Sequence, residues 1–122
     1  MIDRELLELA AKAAGLEVAI IHDFMCIPRE SLSQHRREGD WMIWDPLEND
    51  CDALRLAVQC GIEISTVDDE PGADGRYCRA CAGYTTEDNP RVHYVFEDHR
   101  GDLFAATRRA ITHAAAEIGS TK

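Results

Sequence analysis

Apolar and polar positions follow two rhythms along this chain. Leu6, Leu9, Ala10 and Ala13 recur at spacings of three and four, which makes one apolar stripe of a helix. Asp3 fits its N-cap, Glu5 its first turn and Gly15 its left-handed stop. Residues 18–21 form a short branched run, read as a strand ending near His22 and Asp23. Periodicity then lapses over residues 24–40, where Pro28, Ser31, Ser33 and Gly39 punctuate a dense set of charges. This stretch reads as a long loop with a helical turn at 29–37.

Residues 41–44 read as a second strand, closed by Asp45 and Pro46. Asn49 or Asp50 caps a second helix whose buried stripe is Leu54, Ala57 and Val58, with Gly61 as its stop. Residues 62–67 alternate with period two and lead into the polar turn 68–75. In the strand 77–84, Cys78, Ala80, Ala82 and Tyr84 share one face. After a loop at 85–90, Val92, Tyr94 and Phe96 alternate with His93, Val95 and Glu97 in another strand. Gly101 and Asp102 open a last helix with Leu103, Thr107, Ala110, Ile111, Ala114 and Ile118 on its inner side. Gly119 is expected to end it.

The order is αββαβββα, which predicts an α+β fold. A largely antiparallel sheet of about four or five strands would be covered by three helices in an α-β-α sandwich. Residues 1–122 make one domain, with no repeat, linker or low-complexity tract. No apolar run approaches the roughly 20 residues of a membrane span, and the charged amphipathic start is unlike a signal peptide. The expected location is the cytoplasm.

Charge changes the picture. The chain holds 23 acidic and 13 basic residues, a net charge of -10. Residues 41–75 contribute nine acids against Arg55 alone, a net of -8, so the excess belongs to the middle third. A duplex-DNA binder would show the opposite balance. An acidic surface for a protein partner is the expectation, with Asp50, Asp52, Asp68, Asp69, Glu70 and Asp74 as candidates. Arg108 and Arg109 lie on the outer side of the last helix. They could hold an acidic partner or form salt bridges to the second helix or its loop.

Three blocks carry a family resemblance: RELLELAAKAAGL, WDPLENDCDALRLAVQCGIEI and ATRRAITHAAAEIG, together about 48 of the 122 residues. They resemble the phage ABA-sandwich domain family, short proteins of tailed phages and prophages. The resemblance implies a sheet layered between helices and a bacterial host cell. It implies no activity and transfers no site residue. The stretches 23–40 and 65–100 lie outside it.

Candidate chemistry is sparse. Cys78 and Cys81 have metal-ligand spacing, and His93 could complete a mixed site, but zinc usually takes two such pairs. On a strand, residues three apart point to opposite faces. Five scattered cysteines fit a reducing compartment, where they act as small hydrophobes. His22, Asp23, Cys26, Ser31, Ser33 and His35 gather in or beside the irregular segment, and Cys26 with His35 could be drawn as a nucleophile pair. Any polar loop offers such pairs. Asp68, Asp69, Glu70 and Asp74 lack the spacing of a calcium loop. The aromatic positions read as packing, and would line a homodimer interface if the sheet were left partly uncovered.

The expectation is therefore a phage or prophage accessory protein that binds a protein partner without catalysis and without a cofactor. Direct binding to nucleic acid or membrane is not expected. Two alternatives stand beside it: an acidic DNA mimic that inhibits a host nucleic-acid enzyme, and a small zinc module built on Cys78 and Cys81.

Overall fold

The first helix, α1 (Asp3–Ala14), leaves Ile2 at the cap position with no side-chain hydrogen bond, so Asp3 is the first helical residue and not the cap. Its carboxylate still meets the positive end of the helix dipole. Leu6, Ala10, Ala11 and Ala13 are buried, and Gly15 closes the helix at φ 71°. The computed structural model describes residues 2–28, 41–68, 78–98 and 102–122.

The largest difference from expectation follows α1. Strand β1 (Ala19–Ile21) turns straight back into β2 (Phe24–Pro28), and β3 (Trp41–Ile43) pairs on the far side of β2. The pairing is antiparallel throughout, with Ala19 opposite Cys26 and Cys26 opposite Ile43. His22 and Asp23 form the two-residue turn, both with positive φ, 50° and 67°. That is the pattern of a type I′ hairpin, whose usual residues are Asn and Gly. A His-Asp turn carries no such signal, which is why residues 24–28 read as loop. The left-handed conformation costs a non-glycine residue roughly 1–2 kcal/mol. Asp23→Gly is therefore expected to raise the stability by about 1 kcal/mol, measured by urea denaturation.

Helix α2 (Asp50–Cys60) follows a tight turn. Asn49 caps it by accepting from the Asp52 backbone N–H at 3.0 Å. Gly61 ends it at φ 66°. Its buried residues are Asp52, Ala53, Leu56 and Ala57, whereas Leu54 and Val58 are exposed. The stripe is thus rotated from the expected Leu54, Ala57 and Val58. Leu54 and Val58 are four apart and form a plausible stripe alone. The burial of Asp52 beside Ala53, Leu56 and Ala57 fixes the true one.

Strands β4 (Glu63–Asp68), β5 (Cys78–Thr86) and β6 (Asn89–Asp98) form a second antiparallel sheet in that order. The expected loop at 85–90 is a hairpin inside the sheet, since Thr86 pairs with Asn89 past a register shift between Tyr84 and Thr86. Among the described residues, six strands thus form two three-stranded sheets, in place of one sheet of four or five.

Helix α3 (Leu103–Ser120) organises the rest. Asp102 caps it, accepting from the Ala105 N–H at 3.0 Å. It packs on β4, β5 and β6 on one side and on α1 and α2 on the other. Ala106, Ala110, Ile111, Thr112, Ala114, Ala115, Ala116 and Ile118 are all buried, so apolar or small residues surround it. Gly119 does not end this helix. It lies inside it, where a Cβ would fall 1.9 Å from the Leu9 carbonyl oxygen of α1. The glycine lets the two helix backbones touch. Met25, Ile27 and Trp44 join the same core from the first sheet. No helix of the described residues is long and apolar enough to cross a membrane.

Candidate functional site

The acidic candidates are tied into the fold at the start of α2. The Asp50 carboxylate accepts from Arg108 at 2.7 Å, and Arg108 also donates through Nε to the Leu47 carbonyl at 2.8 Å. Arg108 thereby clamps the β3–α2 connection onto α3. The Asp52 carboxylate is buried and accepts from the Asp45 backbone N–H at 2.9 Å. Arg109 reaches Asp3 of α1 at 3.0 Å. These four residues hold elements of the chain together. Asp68 ends β4, with its side chain outside the described part. Asp69, Glu70 and Asp74 lie outside the described residues, as do Ser31, Ser33 and His35.

The thiols do not converge. Cys81 is buried on the second sheet, opposite Ser65 and Phe96 in register. His93 lies opposite Tyr84, and their rings stack at 5.2 Å. Paired strand residues share a face and neighbours alternate, so Cys81 and His93 stand on opposite faces. The side chain of Cys78 lies outside the described part. Cys26 is buried in β2, its thiol facing the Phe24 carbonyl at 3.6 Å. Burial pushes the Cys60 thiol up, against a lowering by Lys122. Among the described residues no three His, Cys, Asp or Glu side chains are arranged to hold a metal ion.

What the structure does assemble is a surface on the first sheet. By the register, Ile21, Phe24, Cys26, Pro28, Trp41 and Ile43 share one face, on which Phe24, Trp41 and Ile43 are exposed while Cys26 and Pro28 are buried; Met25, Ile27 and Met42 lie on the other face, against the core. Phe24 is 56% exposed and Ile43 54%. Both also line a crevice of about 140 Å³ between this sheet and the start of α1, with Arg4, Leu7, Asp23 and Asp45 around it. Ordinary ligand pockets are several times larger; this one suits a single side chain. Burial pushes the Asp45 carboxyl up, against the Leu47 N–H that it accepts at 3.1 Å. Glu48 and Asp52 push in the same direction as burial. A cation entering beside Asp45 and Asp23 would relieve that cost.

A polar network missed in the sequence joins α3 to the second sheet. His113 faces Glu97 of β6 through Nδ1 at 3.4 Å and Glu117 through Nε2 at 3.5 Å. Glu117 also accepts from the Tyr84 hydroxyl. A neutral imidazole has one N–H and donates to one glutamate only, whereas the protonated ring donates to both. The i,i+4 spacing of His113 and Glu117 was a signal available in the sequence. The partners on β5 and β6 were not, because they depend on register.

Burial, then the Glu117 hydrogen bond and charge, push the Tyr84 phenol well above its ordinary value near 10. Below that value the phenol is neutral in folded and unfolded chains alike, and its stabilising contribution is intact. As the pH rises past about 10 the unfolded chain releases this proton while the folded chain keeps it, so stability falls. Tyr84→Phe is expected to flatten this alkaline loss, measured as melting temperature across alkaline pH. An unchanged slope would contradict the assignment to Tyr84.

No protein-family model matches the chain, and no curated protein or solved structure matches it.

Proposed function

We propose that this domain is a non-enzymatic protein-binding module whose contact surface is the outer face of the β1–β3 sheet. The observation that carries the reading is the pair of large apolar side chains, Phe24 and Ile43, that sit exposed while lining a crevice that also holds Asp23, Asp45 and Arg4. Exposed apolar surface rimmed by polar groups marks interaction sites. The crevice names the chemistry of the partner: an apolar contact carrying a lysine or arginine that enters beside Asp23 and Asp45. The net charge of -10 adds long-range attraction to a basic surface. The three blocks that resemble phage ABA-sandwich proteins support a role as a phage or prophage accessory protein meeting a host or phage partner. Asp50 is engaged by Arg108 and Asp52 is buried against the Asp45 N–H, so these two carboxylates serve the fold, and the exposed Phe24 and Ile43 favour a protein partner over DNA mimicry.

The test uses three baits in a bacterial lysate: the native protein, a Phe24→Ser/Ile43→Ser variant, and Val58→Ser. Val58 is an exposed apolar residue on α2 and serves as the control. A protein held by the native bait and by Val58→Ser, released by salt, and lost from the double variant supports the reading. Capture that is indifferent to the double substitution would overturn it.

A further inference from the structure

We propose that the face of the second sheet turned away from α3 holds a site for an arginine side chain of a protein partner. The Tyr94 ring is its stacking platform and the Glu63 carboxylate its anion. The site lies on a different sheet from the β1–β3 face, so each proposal can fail without the other.

Helix α3 covers one face of this sheet, where Ala80, Ala82, Tyr84 and Val95 are buried. Successive strand residues alternate between faces, so Gly83 and Tyr94 belong to the opposite one. The register sets Glu63, Gly83 and Tyr94 side by side in one row across β4, β5 and β6. The middle of that row has no side chain, and the Tyr94 ring fills the gap. A Cβ on Gly83 would meet the ring's Cε1 at 3.2 Å and Cδ1 at 3.4 Å, and Val92 Cγ1 at 3.3 Å. The ring thus leans across β5 towards β4 and is braced along one side. Tyr94 still keeps 59% of its surface open. The next row, Ser65, Cys81 and Phe96, is closed at its centre, because Cys81 is buried. The site is therefore confined to the Gly83 row. Phe96 only flanks it, with its ring centre 6.3 Å from that of Tyr94.

Glu63 is exposed, and among the described residues its carboxylate has no hydrogen bond or ion pair. Residues directly opposite on antiparallel strands hold their Cβ atoms about 5 Å apart. A planar group stacked on the open part of the Tyr94 ring, above Gly83, therefore comes within reach of this carboxylate.

The chemistry selects a guanidinium. The face of an aromatic ring is the negative part of its quadrupole and attracts a cation. A phosphate or carboxylate would be repelled by Glu63 and by the net charge of -10. An ammonium is compact and strongly hydrated. A guanidinium is planar, stacks on an aromatic ring and offers a carboxylate two parallel N–H groups. Free arginine would bring its own carboxylate to this acidic surface. An arginine within a chain does not, which makes a protein partner the better fit.

Amide-resolved NMR titration of the intact chain with a blocked arginine, Nα-acetyl-arginine amide, at constant ionic strength tests the site. Saturable shifts are expected at Glu63, Gly83 and Tyr94, with a dissociation constant on the order of millimolar for a single side chain. The blocked lysine should bind about threefold more weakly, and the blocked citrulline, which has the shape without the charge, should give no saturable shift. Tyr94→Leu and Glu63→Gln are each expected to weaken binding about threefold or more. Tyr94→Phe keeps a ring over Gly83 and should stay within about twofold of the native protein. The amide spectrum of each variant reports that it is folded. The absence of saturable shifts in this row would overturn the proposal. So would binding that survives both Tyr94→Leu and Glu63→Gln, equal binding of the blocked citrulline, or tighter binding of free arginine than of the blocked form.

Discussion

Gly119→Ala is expected to lower the stability by about 2 kcal/mol or more, although alanine is the better helix former. In an exposed helix the exchange would gain about 1 kcal/mol. Here the new methyl would meet the Leu9 carbonyl oxygen at 1.9 Å and its carbon at 2.8 Å. Both are backbone atoms, so no side chain can swing away. Either α1 lifts from α3 along its C-terminal half or the helix bends, and overpacking of this kind typically costs 1–3 kcal/mol. The ties between α1 and the residues after α3 would suffer with it, since the Lys122 ammonium donates to the Ala13 carbonyl at 3.1 Å. A domain of this size is usually stable by about 5–15 kcal/mol, so the variant should still fold. Its melting temperature should drop by several degrees, and calorimetry measures that drop. A stability equal to the native one would show that the helices do not touch there.

Leu56→Ala is expected to cost about 2–5 kcal/mol, the range for emptying a buried leucine site. Leu56 is 1% exposed in the core between α2 and α3. Leu54→Ala, two residues away at 59% exposure, should stay within about 0.5 kcal/mol of the native protein. The pair of urea titrations tests the rotation of α2 directly. Equal losses at both positions, or a larger loss at Leu54, would return the helix to the stripe of Leu54, Ala57 and Val58.

These two residues also show what the sequence could and could not reveal. The helices α1 and α2 were legible with their glycine stops, because left-handed stops and three-to-four spacing are local signals. The β5–β6 alternation was legible for the same reason. Gly119 was read as a stop because glycine near a helix end is usually one. Its use for close helix approach depends on α1, more than a hundred residues earlier in the chain. The phase of α2 was ambiguous because both readings are apolar stripes, and tertiary contact chose between them. Strand β2 was hidden by a His-Asp turn that lacks the usual Asn-Gly chemistry. Of the candidate site, the acidic excess was legible, but the use of Asp50 and Asp52 inside the fold was not. Both engage groups distant in the chain or across a tight turn, Arg108 and the Asp45 N–H. The apolar face of the β1–β3 sheet became visible only once β2 existed to carry it.

The central claim is that this sheet face is the contact surface, and hydrogen exchange on the captured complex tests it most directly. On binding, the account predicts slowed amide exchange in Ile21, Phe24, Cys26 and Ile43, with α2 unchanged. Protection confined to α2 or to the β4–β6 sheet, with the β1–β3 amides exchanging as in the free protein, would contradict it.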